Sequence, residues 1–251
     1  MRTMLLEIKC EFLRLLRVPR YSVMVITFPV MFYLFFGIIL RNGSLGHVGP
    51  AVYVLCTMAV FGMMFAPMIG LGAGIAAERG LGWMEVRRAS PMPLAGWFVA
   101  KVTGALIFCT IIVAALFAMA YTLGGVRMGA QQWAVLGAAF IGGALPFAAL
   151  GFFLGHIVTS SSAPAMINLV AMPMAFCSGL WVPVQFLPHA VQRIAQALPA
   201  YHLSEISQAL AGATGHGSIA SHVQALASIT LVFVAAGWLV WRRDENRIHV
   251  G

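Results

Sequence analysis

The chain has 251 residues, of which 61% are apolar and only 9% charged, with a mean hydropathy of +0.92. A soluble domain of this length needs far more polar surface, so the composition excludes a water-soluble fold and requires an integral membrane protein. The formal net charge of +8 would suit an anionic polymer, yet its placement along the chain has a topological origin, and no nucleic-acid partner is called for.

Residues 1–20 form the first predicted element. At about 100° per residue, Met4, Leu5, Ile8, Phe12, Leu15 and Leu16 share one arc, while Glu7, Glu11, Arg14 and Arg17 fall opposite. Pro19 closes the segment, which reads as a helix in the membrane interface, with a solvated basic flank as the alternative. Residues 21–40 follow as a first span, because about 20 residues at a helical rise cover about 30 Å. This run lacks a small-residue cleavage pattern and reads as a retained span, not a signal peptide.

Residues 50–77 make a second span, and its Ala66, Gly70 and Gly74 repeat at four-residue intervals, a small-residue face suited to close helix approach. Spans three and four cover 98–123 and 133–158, the latter with a second small pair, Gly151 and Gly155. Spans five and six cover 163–184 and 223–241. Of the 15 Lys and Arg residues, 12 fall in the N-terminal segment, the 78–101 region or the C-terminal tail. The positive-inside rule then places both termini in the cytoplasm, expected to be that of a bacterial cell bounded by its inner membrane, with six spans.

Between spans five and six, residues 185–222 do not fit a simple hairpin. Val191, Ile194 and Leu198, then Leu203, Ile206 and Leu210, recur at helical spacing, and Pro188 and Pro199 each start a new piece. Two short re-entrant helices dipping into the outer leaflet are the preferred reading, with an ordinary outer loop as the alternative.

Covalent chemistry has little to work with. The chain has no GxSxG, no HExxH and no carboxylate cluster, and its seven histidines are scattered without metal-ligand spacing. The four cysteines lie far apart. None of the seven acidic residues lies in the core of a predicted span, which disfavours an ion-coupled carrier; His156 is a possible exception. A phosphate-binding loop needs Gly-Lys-Ser/Thr, but the two lysines, Lys9 and Lys101, follow Ile8 and Ala100. If transport is ATP-driven, a separate chain holds the nucleotide.

The 78–97 loop has the parts of a docking element. Glu78 and Arg79 mark the end of span two, Trp83 and Met84 offer an apolar contact, and Glu85, Arg87 and Arg88 surround it. Pro91 and Pro93 then turn the chain into span three.

Here the sequence resembles the membrane subunit, or permease, of type 2 ATP-binding-cassette exporters. The family pattern E-R-x-x-G-T-L-E-x-L-x-x-x-P is matched by Glu78, Arg79, Gly82, Trp83, Met84, Glu85 and Pro91, with Trp83 replacing threonine and Gly80-Leu81 replacing a charged pair. A second match runs through Ser178, Gly179, Pro183, Leu187, Pro188, Pro199, His202 and Glu205, with Gln208 where an arginine is common. The resemblance implies an all-α fold of six spans and an N-terminal interfacial helix. It also implies a second permease copy, identical or homologous, and an ATPase subunit that binds ATP and Mg and docks on the 78–97 loop. The chain itself would bind no cofactor or metal and catalyse nothing, while sitting in membrane lipid and moving drugs, antibiotics, lipids or glycans outward. Glu205 would help gate release, or else pair with Arg193 or cap a helix. A lipid-modifying membrane enzyme and a secondary carrier are the alternatives.

Overall fold

The structure is a computed structural model and describes residues 2–39, 49–83, 94–213 and 217–248. Every regular element among these residues is helical. The interfacial segment forms α1 (Arg2–Leu16), and α2 (Pro19–Phe32) begins two residues later with Pro19 in its first turn. The Ser22 hydroxyl donates to the Leu15 carbonyl at 2.6 Å, satisfying an acceptor that the end of α1 leaves open.

Helix α2 contains Pro29 and continues as a π-helical stretch, Tyr33–Ile38. The pattern repeats in the second span. Helix α3 (Pro50–Pro67) ends on a proline, passes into a π-helical stretch, Met68–Ala73, and resumes as α4 (Gly74–Gly80). A proline without an N–H removes one rung of the α ladder, and the wider π turn follows at the disturbance. The remaining α-helices among the described residues are α5 (Leu94–Thr122), α6 (Ala130–Gly143), α7 (Leu145–Ile157), α8 (Ala163–Cys177), α9 (His189–Ala195), α10 (Pro199–Leu210) and α11 (Ile219–Ile248), with a short 3-10 turn at Val184–Phe186.

Among the described residues five stretches are long and apolar enough to cross a bilayer: Tyr21–Ile38, Pro50–Gly80, Gly96–Thr122, Ala130–Ile157 and Ile219–Arg243. The fifth span expected in chain order, 163–184, is instead the 15-residue α8 followed by a turn. At a helical rise α8 is about 22 Å long, short of the ~30 Å hydrocarbon layer. The chain turns at Gly179, whose φ of +79° lies in the left-handed region that favours glycine.

The hub is the α3–α4 path, 94% buried along its apolar window, against 11% for α11 at the periphery. Around it pack α2, α5, α6, α7 and α10, while α11 lies along α7. The small residues set the distances. A Cβ added to Gly151 would lie 2.9 Å from Met68 Cα, and one on Gly155 would lie 2.8 Å from the Gly72 carbonyl oxygen. Helix α7 therefore meets the π stretch of the second span at backbone distance. Ala66, Gly70 and Gly74 open a different side of the hub. The Tyr21 hydroxyl donates to the Ala66 carbonyl at 2.8 Å, and Gly70 and Gly74 leave room for Tyr21 and the Arg14 guanidinium.

The bundle has a charged end, where α1, the end of α4 and the start of α5 meet, and an opposite end built by α9, α10 and the turn after α8. Gly155→Ala should lower stability by about 1–3 kcal/mol, because the opposing atoms are backbone and cannot rotate away. Gly142→Ala, with nothing within 4 Å of the new methyl, should be neutral or stabilising by up to about 1 kcal/mol. Thermal unfolding of the reconstituted chain distinguishes the two.

Candidate functional site

The packing of α1 brings buried charge to the charged end. Its inward face is rotated away from the apolar arc: Glu11 and Leu15 are buried, whereas Leu5, Leu6 and Leu16 are exposed. Leu15 and Phe12 pack into the core, and Leu5 and Leu16 turn outward. Helix α1 comes close to α5 at Gly104, where a Cβ would lie 3.4 Å from that of Glu11.

Opposite Glu11 stands Lys101, the first-turns lysine of span three. Its ammonium is 1% exposed and donates to Glu11 Oε1 at 2.8 Å and to Glu78 Oε1 at 2.6 Å. Arg14 grips the other Glu11 oxygen through Nη2 at 2.8 Å and approaches Glu78 at 3.6 Å. Trp97 Nε1 donates to Glu78 Oε2 at 3.3 Å, and the Lys101 ammonium lies 5.2 Å from the Trp97 ring centroid. Two cations and two carboxylates from three helices thus share one site, and the charge-assisted bonds are short. Burial alone would raise the Glu11 carboxyl; the Lys101 and Arg14 cations outweigh it and hold the group below its ordinary value.

This cluster sits at the ends of two spans, and the described acidic residues stay out of the span cores, as expected. Lys101 lies inside the apolar Gly96–Thr122 stretch and Glu78 inside Pro50–Gly80. Reading along the chain, Lys101 counts as a loop charge 90 residues from Glu11, and only the packing of α1 on α5 pairs them. The signal available was a lone lysine after an otherwise apolar first turn of a span, a residue that is rarely left unpaired at depth.

The next residues carry the site outward. Arg79 Nη1 donates to the Gly155 carbonyl at 3.0 Å, which ties α4 to α7. Helix α4 ends at Gly80, and Gly82 adopts φ +73°, so a residue with a side chain would be strained there. At this turn Leu81 and Trp83 are 74% and 52% exposed, two large apolar side chains two residues apart.

Residues 46–239 match the profile of the family described as "ABC-2 family transporter protein". The chain is also 27% identical over 192 residues to the protein named "Putative transport permease YvfS" of Bacillus subtilis (strain 168), covering 76% of this chain and 78% of that one. The chain belongs to the ABC-2 transporter family. It is a multi-pass transport permease, the non-catalytic membrane component that works with an ATP-binding subunit.

In this permease the 78–97 segment begins in helix, with Glu78 and Arg79 on α4, and re-enters helix at Leu94. Met84, Glu85, Arg87, Arg88 and Pro91 lie outside the described residues. The outer residues sit together at the far end: Pro188 precedes α9 and Pro199 opens α10. His202 is buried on α10, with Nε2 2.9 Å from the Gln196 carbonyl and Nδ1 2.8 Å from Nδ1 of His222. Glu205, half-buried one turn along, acts electrostatically on both Tyr201 and His202. His156 points its Nδ1 at the Phe152 carbonyl one turn back, at 2.8 Å.

Lys101→Met should destabilise the permease by about 3–5 kcal/mol, since it removes the buried cation that the Glu11 and Glu78 carboxylates share. Glu11→Gln/Glu78→Gln/Lys101→Met should recover most of that loss in the same unfolding assay. A carboxyl held below its ordinary value of 4.5 contributes stability above that pH and loses it as pH falls through the lower folded value. Acid unfolding of the native permease should therefore contain a step that Glu11→Gln removes.

Proposed function

We propose that this permease is the membrane half of an exporter that moves a hydrophobic or amphipathic molecule out of the cytoplasm or inner leaflet. A separate ATPase, binding ATP and Mg, docks on the loop between the second and third spans. The carrying observation is the ion cluster of Glu11, Arg14, Glu78 and Lys101, with Glu11 and Lys101 buried, a few residues along the chain from exposed Leu81 and Trp83. A partner that pushes on the Leu81–Trp83 knuckle pushes on a point where α1, α4 and α5 are locked by charge.

In this reading both termini face the cytoplasm of a bacterial cell, and two permease copies, identical or homologous, stand in its inner membrane with one ATPase each. The ATPase binds one arrangement of the knuckle more tightly than another. That difference in affinity shifts the spans between inward-facing and outward-facing states. The hydrophobic cargo is supported by the lining at the far end. Phe32, Phe36, Tyr53, Thr57, Met58 and Trp181 border a cleft of about 80 Å³, wide enough for an alkyl branch of a larger molecule.

Trp83→Ala should cut co-purification of the cognate ATPase at least ten-fold, as for a central aromatic contact. Its half-exposed position means that the thermal stability of the permease should be unchanged. If the ATPase remains bound and permease-stimulated ATP hydrolysis persists, the docking assignment is wrong.

A further inference from the structure

The contact between His202 and His222 joins the short helix α10 to the peripheral helix α11, and its chemistry constrains where protons sit. Gln196 offers a carbonyl oxygen, so His202 Nε2 must carry a hydrogen to use it. In neutral His202 the other nitrogen, Nδ1, is then an acceptor. The facing atom 2.8 Å away, His222 Nδ1, must donate. Both tautomers follow from one backbone carbonyl. His222 Nε2 is left as the open nitrogen of the pair, and a Cβ on Gly217 would lie 3.2 Å from it.

Protons added to this arrangement act in two stages. A first proton, on either ring, leaves one Nδ1–H facing one lone pair, because the neutral partner can take the matching tautomer. The second proton places two N–H donors nose to nose with two positive charges, and the bond cannot exist.

We propose that the His202–His222 pair is a proton-counted latch, holding α10 to α11 with no proton or one added and releasing it with two. The surroundings favour a latch that is closed at neutral pH. Burial pushes His202 below its ordinary value and the His222 ring adds to this, while the Gln196 carbonyl and Glu205 pull the other way. The titratable groups around the pair, among the described residues, are Tyr201 and Glu205 of α10. From the packed neighbours, α3 brings Tyr53 to the Gly179 carbonyl and Cys56 to Ser207, and α6 brings the neutral Gln132 to the Leu210 carbonyl. A histidine held low loses its stabilising contact as pH falls below the ordinary histidine range, so the latch opens on the acid side.

Its role as an outer gate rests on the exporter reading; the latch itself does not. Helix α10 carries Leu203 and Ile206 into the core beside α3 and α6, and its released position would uncover the far end of the second span.

The test is hydrogen exchange of the 200–210 amides in the full chain, reconstituted in phospholipid nanodiscs without ATPase and corrected for intrinsic pH dependence. In the native chain protection should stay level from about pH 8 to 6.5 and fall about ten-fold toward pH 4.5. His222→Gln, whose amide can donate to His202 Nδ1 or accept from it, should keep neutral-pH protection and show less than about two-fold acid loss. His222→Ala should be about ten-fold less protected even at pH 7.5. A parallel acid loss in native and His222→Gln, no acid loss in the native chain, or native-like protection of His222→Ala overturns the latch. Because no ATPase or transport is involved, such a failure leaves the exporter reading standing, and failed ATPase binding leaves the latch standing.

Discussion

An ammonium group taken from water is unfavourable by several kcal/mol unless carboxylates replace the solvent shell, and Lys101 meets that condition only where α1, α4 and α5 stand in one arrangement. The requirement is geometric as well as electrostatic. Glu11 and Glu78 each give Lys101 one oxygen, at 2.8 and 2.6 Å, and turn their second oxygens to Arg14 and Trp97. Moving any one of the three helices by a few ångström would break short charge-assisted bonds before it relieved any packing. The three helices therefore move as a unit, the charges adding to the apolar contact that Phe12 of α1 makes with Phe108 of α5, with Leu15 in the same core.

What that unit is attached to decides how far its motion travels. Helix α4 is the direct continuation of the buried hub, through the π stretch Met68–Ala73, and Arg79 adds a bond to α7. At the π stretch α7 touches the hub through backbone atoms at Gly72, Gly151 and Gly155, leaving no side-chain slack to absorb a displacement. Toward the far end the contacts become aromatic. Phe28, Phe32 and Phe61 surround Trp181 edge-on, with Trp181 4.7 Å from Phe32 at 90°, and Phe176 stacks on its other side at 5.6 Å. Such rings hold direction as well as distance, since edge-to-face geometry is lost on rotation. The hub thus couples a charge-locked end to an aromatic-locked end through a segment that already departs from α geometry, where a change of helical pitch is least unfavourable.

Much of this architecture was legible in the sequence, and the parts that were not share a cause. Apolar runs located the long helices, because burying about 20 apolar residues in lipid is a local property of the chain. Pro188 and Pro199 marked the starts of α9 and α10, because proline's fixed φ acts on its own residue. The failures concern pairs. The arc of α1 was drawn from hydrophobicity alone, but a buried lysine on another helix outweighs a leucine facing lipid, so Glu11 turned inward and Leu5 outward. The small residues of the second span and of α7 marked faces open to close approach without naming the neighbour; Gly151 and Gly155 meet Met68 and Gly72, while Gly70 and Gly74 receive Tyr21 and Arg14. Spacing reveals that a face is open, not what fills it. The same limit hid the His202–His222 contact, whose members stand 20 residues apart across a turn.

The distribution of polar contacts then separates the elements that can switch from those that can only be carried. Along the middle of the hub, Leu55, Val60, Met63, Met64 and Met68 are fully buried among apolar neighbours. Close-packed apolar surfaces transmit strain but offer few distinct alternative pairings, so this region follows its ends. Charged and hydrogen-bonded contacts differ, because a partner exchange replaces one defined bond by another. At one end the candidates for exchange are the two carboxylates shared between Lys101 and Arg14. At the other they are the two imidazoles of α10 and α11, together with the Ser204, Ser207 and Gln208 bonds within α10. In the proposed cycle the first set answers to a docked protein and the second to protons. With exchangeable contacts at both ends, among the described residues, such a permease can be driven from either.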